Sequence, residues 1–257
     1  MPLKKTAAII LKSQKLGETS KILTFYTRAF GKIKTVAKGA RSSKSRFGGS
    51  LEPLNYVYMV FYEKENRDLQ TLSQADIIEP FLKTRTDLEK TTLAMACCEL
   101  LDRIEVGVVP NPPLFKLLLQ TLRGINQDAG QPANFFRAYQ VHLFGIMGIQ
   151  PNLSQCLKCG LEKHEDVSFD LSHGGFYCGA CQPVAAPGFL LSHETLKALR
   201  TLQTCPVEKM NGLLESWSSQ QQLDGFLNAY LKYHVEGIRD LNALKVLRKI
   251  KSKLGYG

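Results

Sequence analysis

The first eighty residues alternate apolar and polar positions with a period of two, and the chain beyond them switches to a period near 3.6. Five segments carry the first pattern: 7–16 (AAIILKSQKL), 20–28 (SKILTFYTR), 31–39 (GKIKTVAKG), 55–64 (NYVYMVFYEK) and 69–78 (LQTLSQADII). They are rich in β-branched and aromatic residues and separated by Gly, Asn or charged turns, which predicts strands. In the fourth, alternation puts Tyr56, Tyr58 and Tyr62 on one face and Val57, Met59 and Phe61 on the other. Five short strands in this length predict a small barrel, and the five-stranded oligonucleotide-binding (OB) barrel is the commonest of that size. A sandwich or an SH3-like barrel is the structural alternative. In the OB reading, the stretch RSSKSRFGGSLEP is a flexible connection between the third and fourth strands.

After Glu79-Pro80 the pattern is helical. FLKTRTDLEKTTLAMACCELLDRIEVG predicts one long helix, unbroken by Gly or Pro until Gly107, NPPLFKLLLQTLRGI a second that starts with prolines, and PANFFRAYQVHLFGIMG a third running to Gly145 and Gly148. Residues 151–185 are of a different kind. Helices then resume with SHETLKALRTL, where Ser192 is the expected N-cap, and QQQLDGFLNAYLKYHVEG. In the latter, Leu223, Phe226, Leu227, Tyr230 and Leu231 fall on one buried stripe. Near the end of the chain, Leu244, Leu247, Ile250 and Leu254 share a helical face, with lysines on the other side. The class is α+β: an OB barrel over 1–80, a helical domain in two parts over 81–150 and 186–257, and an insert at 151–185. Cys97 and Cys98 are expected to be small core residues and Cys205 a loop thiol.

Charge adds a functional constraint. The formal net charge is +10, but residues 1–51 hold twelve Lys/Arg against the single acid Glu18, and residues 243–257 hold five against none. Such segregation points to a polyanionic partner, a nucleic acid or a membrane surface. No apolar run approaches the roughly 18 residues that cross a bilayer. The apolar run from Ala7 to Leu11 is shorter than the about 7–15 residues of a signal peptide's core. With seven cysteines, this reads as a protein of the reducing cytoplasm, where metal or catalytic roles outrank disulfides.

Four of those cysteines form the most specific motif. Cys156-x2-Cys159 and Cys178-x2-Cys181 flank VSFDLSHGGFYC, a predicted hairpin turning at His173-Gly174-Gly175. Each knuckle supplies two thiolates from one tight turn, so the four predict a closed tetrahedral zinc site, a zinc ribbon, with one structural zinc per chain. Gly160 and Gly179 are expected to permit the knuckle conformations. His164 and His173 are expected to be surface residues rather than ligands. Walker-type, dinucleotide, zincin and nucleophile-elbow motifs do not occur, nor does the Lys-x-Asp-Gly nucleophile of ligases that combine an OB barrel with four cysteines. The reading is therefore non-enzymatic. An RNA-binding or transcription-associated ribbon protein is the alternative to DNA binding.

The order of these parts, together with Gly17-Glu18-Thr19-Ser20, Ala37-Lys38-Gly39-Ala40-Arg41 and the ribbon, resembles the RecO family of bacterial recombination mediators over essentially the whole chain. The resemblance implies a protein that binds single- and double-stranded DNA and anneals complementary strands. It further implies work with RecR to load RecA on strands coated by single-strand-binding protein, at the nucleoid during repair. On such a barrel Lys12, Lys32, Lys34, Lys38, Arg41, Lys44 and Arg46 are the expected phosphate contacts. The resemblance also implies capture of the acidic C-terminal tail of single-strand-binding protein. Phe136, Tyr139, Val141 and Leu143 are the expected apolar surface for it, and Arg137, the only cation in its helix, the expected carboxylate clamp.

Overall fold

The structure is a computed structural model describing residues 2–65, 67–104, 109–127, 130–162, 165–182, 188–210 and 217–253; His164, Leu254, residues 105–107 at the end of the first expected helix and residues 183–185 of the insert lie outside these. The chain packs as two compact units, one of residues 1–127 with 240–257 and one of 128–239. Packing thus divides the chain differently from the sequence pattern, which changes at 80, 150 and 185.

In the first unit, β1 (Leu3–Leu16), β2 (Ser20–Thr27), β3 (Gly31–Ala37), β4 (Tyr56–Tyr62) and β5 (Leu69–Glu79) close into a barrel in the order β1-β2-β3-β5-β4. This is the OB arrangement the alternation predicts. β1 is long because it serves two neighbours, pairing Leu3–Ile9 with β4 and Ala8–Leu16 with β2. A bulge between Ile10 and Lys12 bends it from one partner toward the other. Parallel pairing of Lys34–Val36 with Leu69–Thr71 completes the circle. Ala8, Ile10, Leu23, Phe25, Ile33, Val57, Met59, Phe61 and Leu72 fill the interior, while Tyr58 and Tyr62 stay outside.

The connection from β3 to β4 is not the free loop its composition suggests. Phe47 and Leu51 are drawn into the barrel core. Asn55 Nδ2 donates to the carbonyls of Gly49 (3.0 Å) and Ser50 (3.1 Å), and Arg85 Nη2 donates to Asn55 Oδ1 (2.7 Å) and the Pro53 carbonyl (2.8 Å). The apolar residues among the serines and glycines decide this, because burying two large side chains offsets the entropy of ordering the loop.

The described helices are α1 (Leu82–Arg85), α2 (Leu88–Ile104), α3 (Pro112–Gln127), α4 (Pro132–Ile146), α5 (His193–Thr204), α6 (Trp217–His234) and α7 (Asn242–Lys253). The single helix expected from residue 81 is broken between α1 and α2. Asp87 Oδ1 accepts the Lys90 N–H (2.9 Å) and Thr91 Oγ1 donates to the Thr84 carbonyl (2.6 Å), so short polar side chains end one helix and cap the next. Cys97 and Cys98 are fully buried in α2, and burial pushes the Cys98 thiol up to about 12. Phe115 of α3 covers the outer barrel face at Tyr26 and Tyr56, with ring centroids 6.4 and 6.2 Å away.

In the second unit, β6 (Val167–Asp170), β7 (Gly175–Cys178) and β8 (Phe189–Leu191) form a sheet in the order β7-β6-β8. Ser192 Oγ caps α5 by accepting the Thr195 N–H (3.3 Å). The predicted stripe of α6, Leu223 to Leu231, is at most 4% exposed. Phe169 of β6 lies 4.8 Å from the Phe226 ring and 5.9 Å from that of Tyr230, so the hairpin is docked on α6 by aromatic packing.

Candidate nucleic-acid interface and metal centre

The candidate metal centre is assembled from two tight turns and one hairpin. In the first knuckle the Cys156 carbonyl accepts the Gly160 N–H (3.0 Å), and Gly160 has φ +72°, a left-handed conformation that suits glycine. In the second, the Cys178 carbonyl accepts the Cys181 N–H (2.9 Å). Gly179 lies outside the left-handed region, so the expectation for that residue does not hold. The hairpin pairs Val167–Asp170 with Gly175–Cys178, one residue short of the predicted turn at Gly175. At its tip, Asp170 accepts the N–H groups of Ser172 (2.8 Å) and His173 (3.1 Å), and its other oxygen meets His173 Nδ1 at 2.9 Å. His173 is exposed and engaged there, away from the sulfurs, as a surface residue should be.

A backbone clasp brings the knuckles together. The Leu157 N–H donates to the Phe176 carbonyl (2.9 Å) and the Cys178 N–H donates to Cys156 Sγ (3.4 Å). Gly175 makes the approach possible, since a Cβ there would lie 2.7 Å from a Leu157 methyl. The four Sγ atoms of Cys156, Cys159, Cys178 and Cys181 lie within 4.8 Å of one another, with Cys159 and Cys178 3.8 Å apart. A tetrahedron with metal–sulfur bonds of about 2.3 Å has edges of roughly 3.8 Å, so the cluster fits zinc. Burial pushes the Cys156 thiol up, but N–H groups of Cys159, Cys178 and Lys158 outweigh it and bring the group down to about 6. Cys181 is pushed up to about 12, first by its hydrogen bond to the Cys178 sulfur, then by desolvation and Cys159. Sulfurs this close compete for protons, and a soft cation resolves that competition. Four protein ligands leave no open position for activating water.

The barrel presents the cations. Lys12 pairs with Thr24 and Thr24 with Lys34, so the two lysines flank one threonine across β1, β2 and β3 on the outer face. Lys12, Lys34, Lys38 and Lys44 are all exposed, and among the described residues none has an ion-pair partner. The other three expected contacts are engaged. Lys32, with its side chain 14% exposed, donates to the Asp102 carbonyl (2.6 Å) and lies 3.3 Å from that carboxylate. Arg41 donates through Nη1 to the Gly17 carbonyl (2.9 Å) and through its backbone N–H to Thr19 (2.8 Å). The guanidinium of Arg46 lies over the Phe47 ring at 5.1 Å. Sequence reasoning missed the docking of the β1–β2 turn on the Arg41 loop. Its only signal was the glycine in Leu16-Gly17-Glu18-Thr19, which adopts φ +57°.

The expected tail pocket is not an open surface. Phe136, Arg137, Tyr139, Val141 and Leu143 are 7, 4, 0, 1 and 0% exposed. Arg137 is forked onto Asp224, with Nε to Oδ1 at 2.7 Å and Nη2 to Oδ2 at 2.9 Å, and Nη1 donates to Asn134 Oδ1 (2.9 Å). α4 turns its arginine inward because α6 supplies a carboxylate for it, and a guanidinium already forked has no face left for a terminal carboxylate.

A closed five-stranded barrel bearing cations unpaired among the described residues, followed by helices that carry a docked four-cysteine hairpin, defines an OB-barrel protein with a candidate metal site. Family models described as recombination protein O N terminal and recombination protein O C terminal match residues 1–81 and 85–242. The chain belongs to the RecO family of DNA repair proteins. It is 33% identical to DNA repair protein RecO of Desulforamulus reducens over 259 residues, covering 100% of this chain and 99% of the relative. It is 31% identical to that of Bacillus pumilus, covering 96% of each. No described helix is long and apolar enough to cross a membrane.

Proposed function

We propose that this chain is a non-enzymatic recombination mediator that binds single- and double-stranded DNA, anneals complementary strands and helps load RecA on strands coated by single-strand-binding protein. The observation that carries the reading is the exposed set Lys12, Lys34, Lys38 and Lys44, without ion-pair partners among the described residues, on a β1–β2–β3 face and its loop. Such cations release counterions from a phosphate backbone whatever its sequence. Arg41 orders the loop that presents two of them, and half-buried Lys32 anchors the strand to Asp102, so both support this face. One structural zinc holds the ribbon. RecR and the acidic tail of single-strand-binding protein are the proposed protein partners, with RecA reached through them and the bacterial cytoplasm and nucleoid as the place of action. Family membership supports these partners, and the tail would bind elsewhere than at Arg137.

The test is annealing of complementary DNA strands, with and without single-strand-binding protein, by the wild-type chain and a Lys12→Glu/Lys34→Glu/Lys38→Glu/Lys44→Glu variant. The wild type should accelerate annealing in both settings. The variant should lose the acceleration, and its salt slope on single strands should fall by about 3, from roughly 0.7 per lost phosphate contact. Equal annealing by both proteins would remove the barrel face from the function.

A further inference from the structure

We propose that α7 is a second phosphate-binding surface, continuing onto a helix the DNA path that begins on the barrel. This rests on the reading that the barrel binds DNA. The last fifteen residues, 243–257, hold five Lys/Arg and no acid. In the structure Leu241 and Leu247 are buried and Leu244 and Ile250 half-buried, whereas Lys245, Arg248 and Lys249 are exposed. None of these three cations has an ion-pair partner among the described residues. A stabilising role in the fold therefore does not account for them.

The helix is fixed rather than trailing. Glu99 of α2 accepts the N–H groups of Asn242 (2.9 Å) and Ala243 (3.0 Å), two donors that the first turn of a helix leaves without an internal partner. Glu99 also pairs with Arg103. Three residues along the same helix, Asp102 holds Lys32 of β3. The origin of α7 and the cationic strand of the barrel are thus tied to one turn of α2, about 5.4 Å of helix. The two carboxylates between them are already occupied by amides, Arg103 and Lys32, which lowers the repulsion a passing phosphate would meet. A basic amphipathic helix can also bind an anionic membrane surface, but that requires a free apolar face. Here the apolar side of α7 packs on α2, leaving Val246 as the large apolar side chain exposed beside the cations, and a mainly charged face fits a hydrated polyanion.

The experiment compares the full wild-type chain with a Lys245→Glu/Arg248→Glu/Lys249→Glu variant by fluorescence anisotropy. The probes are single-stranded DNA of about 10 and about 40 nucleotides, the shorter sized to one OB barrel. An RNA of the longer length and phosphatidylserine vesicles complete the set. The variant should lose affinity for the long strand, with its salt slope reduced by about 2, so that raising salt from 50 to 200 mM costs roughly 16-fold less affinity than in the wild type. Binding of the short strand should change by less than about threefold. An unchanged slope on the long strand, or equal loss on both lengths, overturns the proposal, as does loss confined to RNA or vesicles. If the wild type binds neither strand, the failure lies in the barrel reading instead. An unaltered urea midpoint confirms that the exposed substitutions leave the fold intact.

Discussion

The ion pair between Arg137 and Asp224 is lopsided, and its two ends should respond differently to removal. The arginine side chain is 5% exposed and the aspartate 57%. Arg137→Met keeps most of the buried volume and leaves a carboxylate that water can solvate, so the pair itself contributes little, about 0–1 kcal/mol. The larger loss is at Asn134, fully buried, whose Oδ1 loses the Nη1 donor. An orphaned buried acceptor costs about 1–3 kcal/mol, giving about 2 kcal/mol in all. Asp224→Ala strands a buried guanidinium with Nε and Nη2 unpaired. Breaking a buried pair that way costs about 3–5 kcal/mol, and the opening left by the aspartate argues for the lower end, about 3. Urea unfolding followed by the single tryptophan, Trp217, reads this directly, because that residue opens α6, the helix that carries Asp224. Removing the more exposed partner should therefore cost more, and the double variant should cost less than the sum of the two. Asp224→Ala milder than Arg137→Met, or both below about 1 kcal/mol, would refute the buried-charge reasoning and return Arg137 to solvent and to partner binding.

Protein purified without chelator should carry about one zinc per chain by metal analysis. Cys156→Ser or Cys181→Ser should lower that content and destabilise the ribbon, and normal thermal stability with well under one zinc would count against the site. Lys34→Glu should weaken DNA binding and flatten its salt dependence, whereas Lys32→Met should lower stability by up to about 1 kcal/mol with DNA affinity nearly intact. The reverse order of effects would show that the Asp102 contact does not hold in solution. Phe169→Ala should cost about 3–5 kcal/mol and loosen the hairpin from α6, read as faster amide exchange in β6 and β7; a loss below 1 kcal/mol would mean that the hairpin is not docked.

Local order was legible in the chain, and tertiary pairing was not. Strands β1 to β5 follow from alternation, because a barrel wall has one apolar face and its period-two pattern is written residue by residue. The cysteine knuckles were equally legible, since each pair of candidate ligands sits within four residues and metal geometry restricts the spacing. Ser192 and the α6 stripe belong to the same class of short-range signal. What sequence could not reveal was which partner each polar group would find at long separation. Lys32 and Lys34 look alike on one strand, yet only Lys32 meets Asp102, seventy residues away. Arg137 looked like the lone free cation of α4 until α6 brought Asp224 beside it. The serine- and glycine-rich loop read as flexible, and its anchoring depended on room for Phe47 and Leu51 inside a barrel that exists only once β1 closes against β2 and β4. Hydrophobic periodicity and metal spacing are properties of neighbours along the chain. Charge pairing and burial depend on which distant segments the closed core brings within a few ångströms, so the tertiary structure alone decides which of the twelve N-terminal cations remain free for a phosphate.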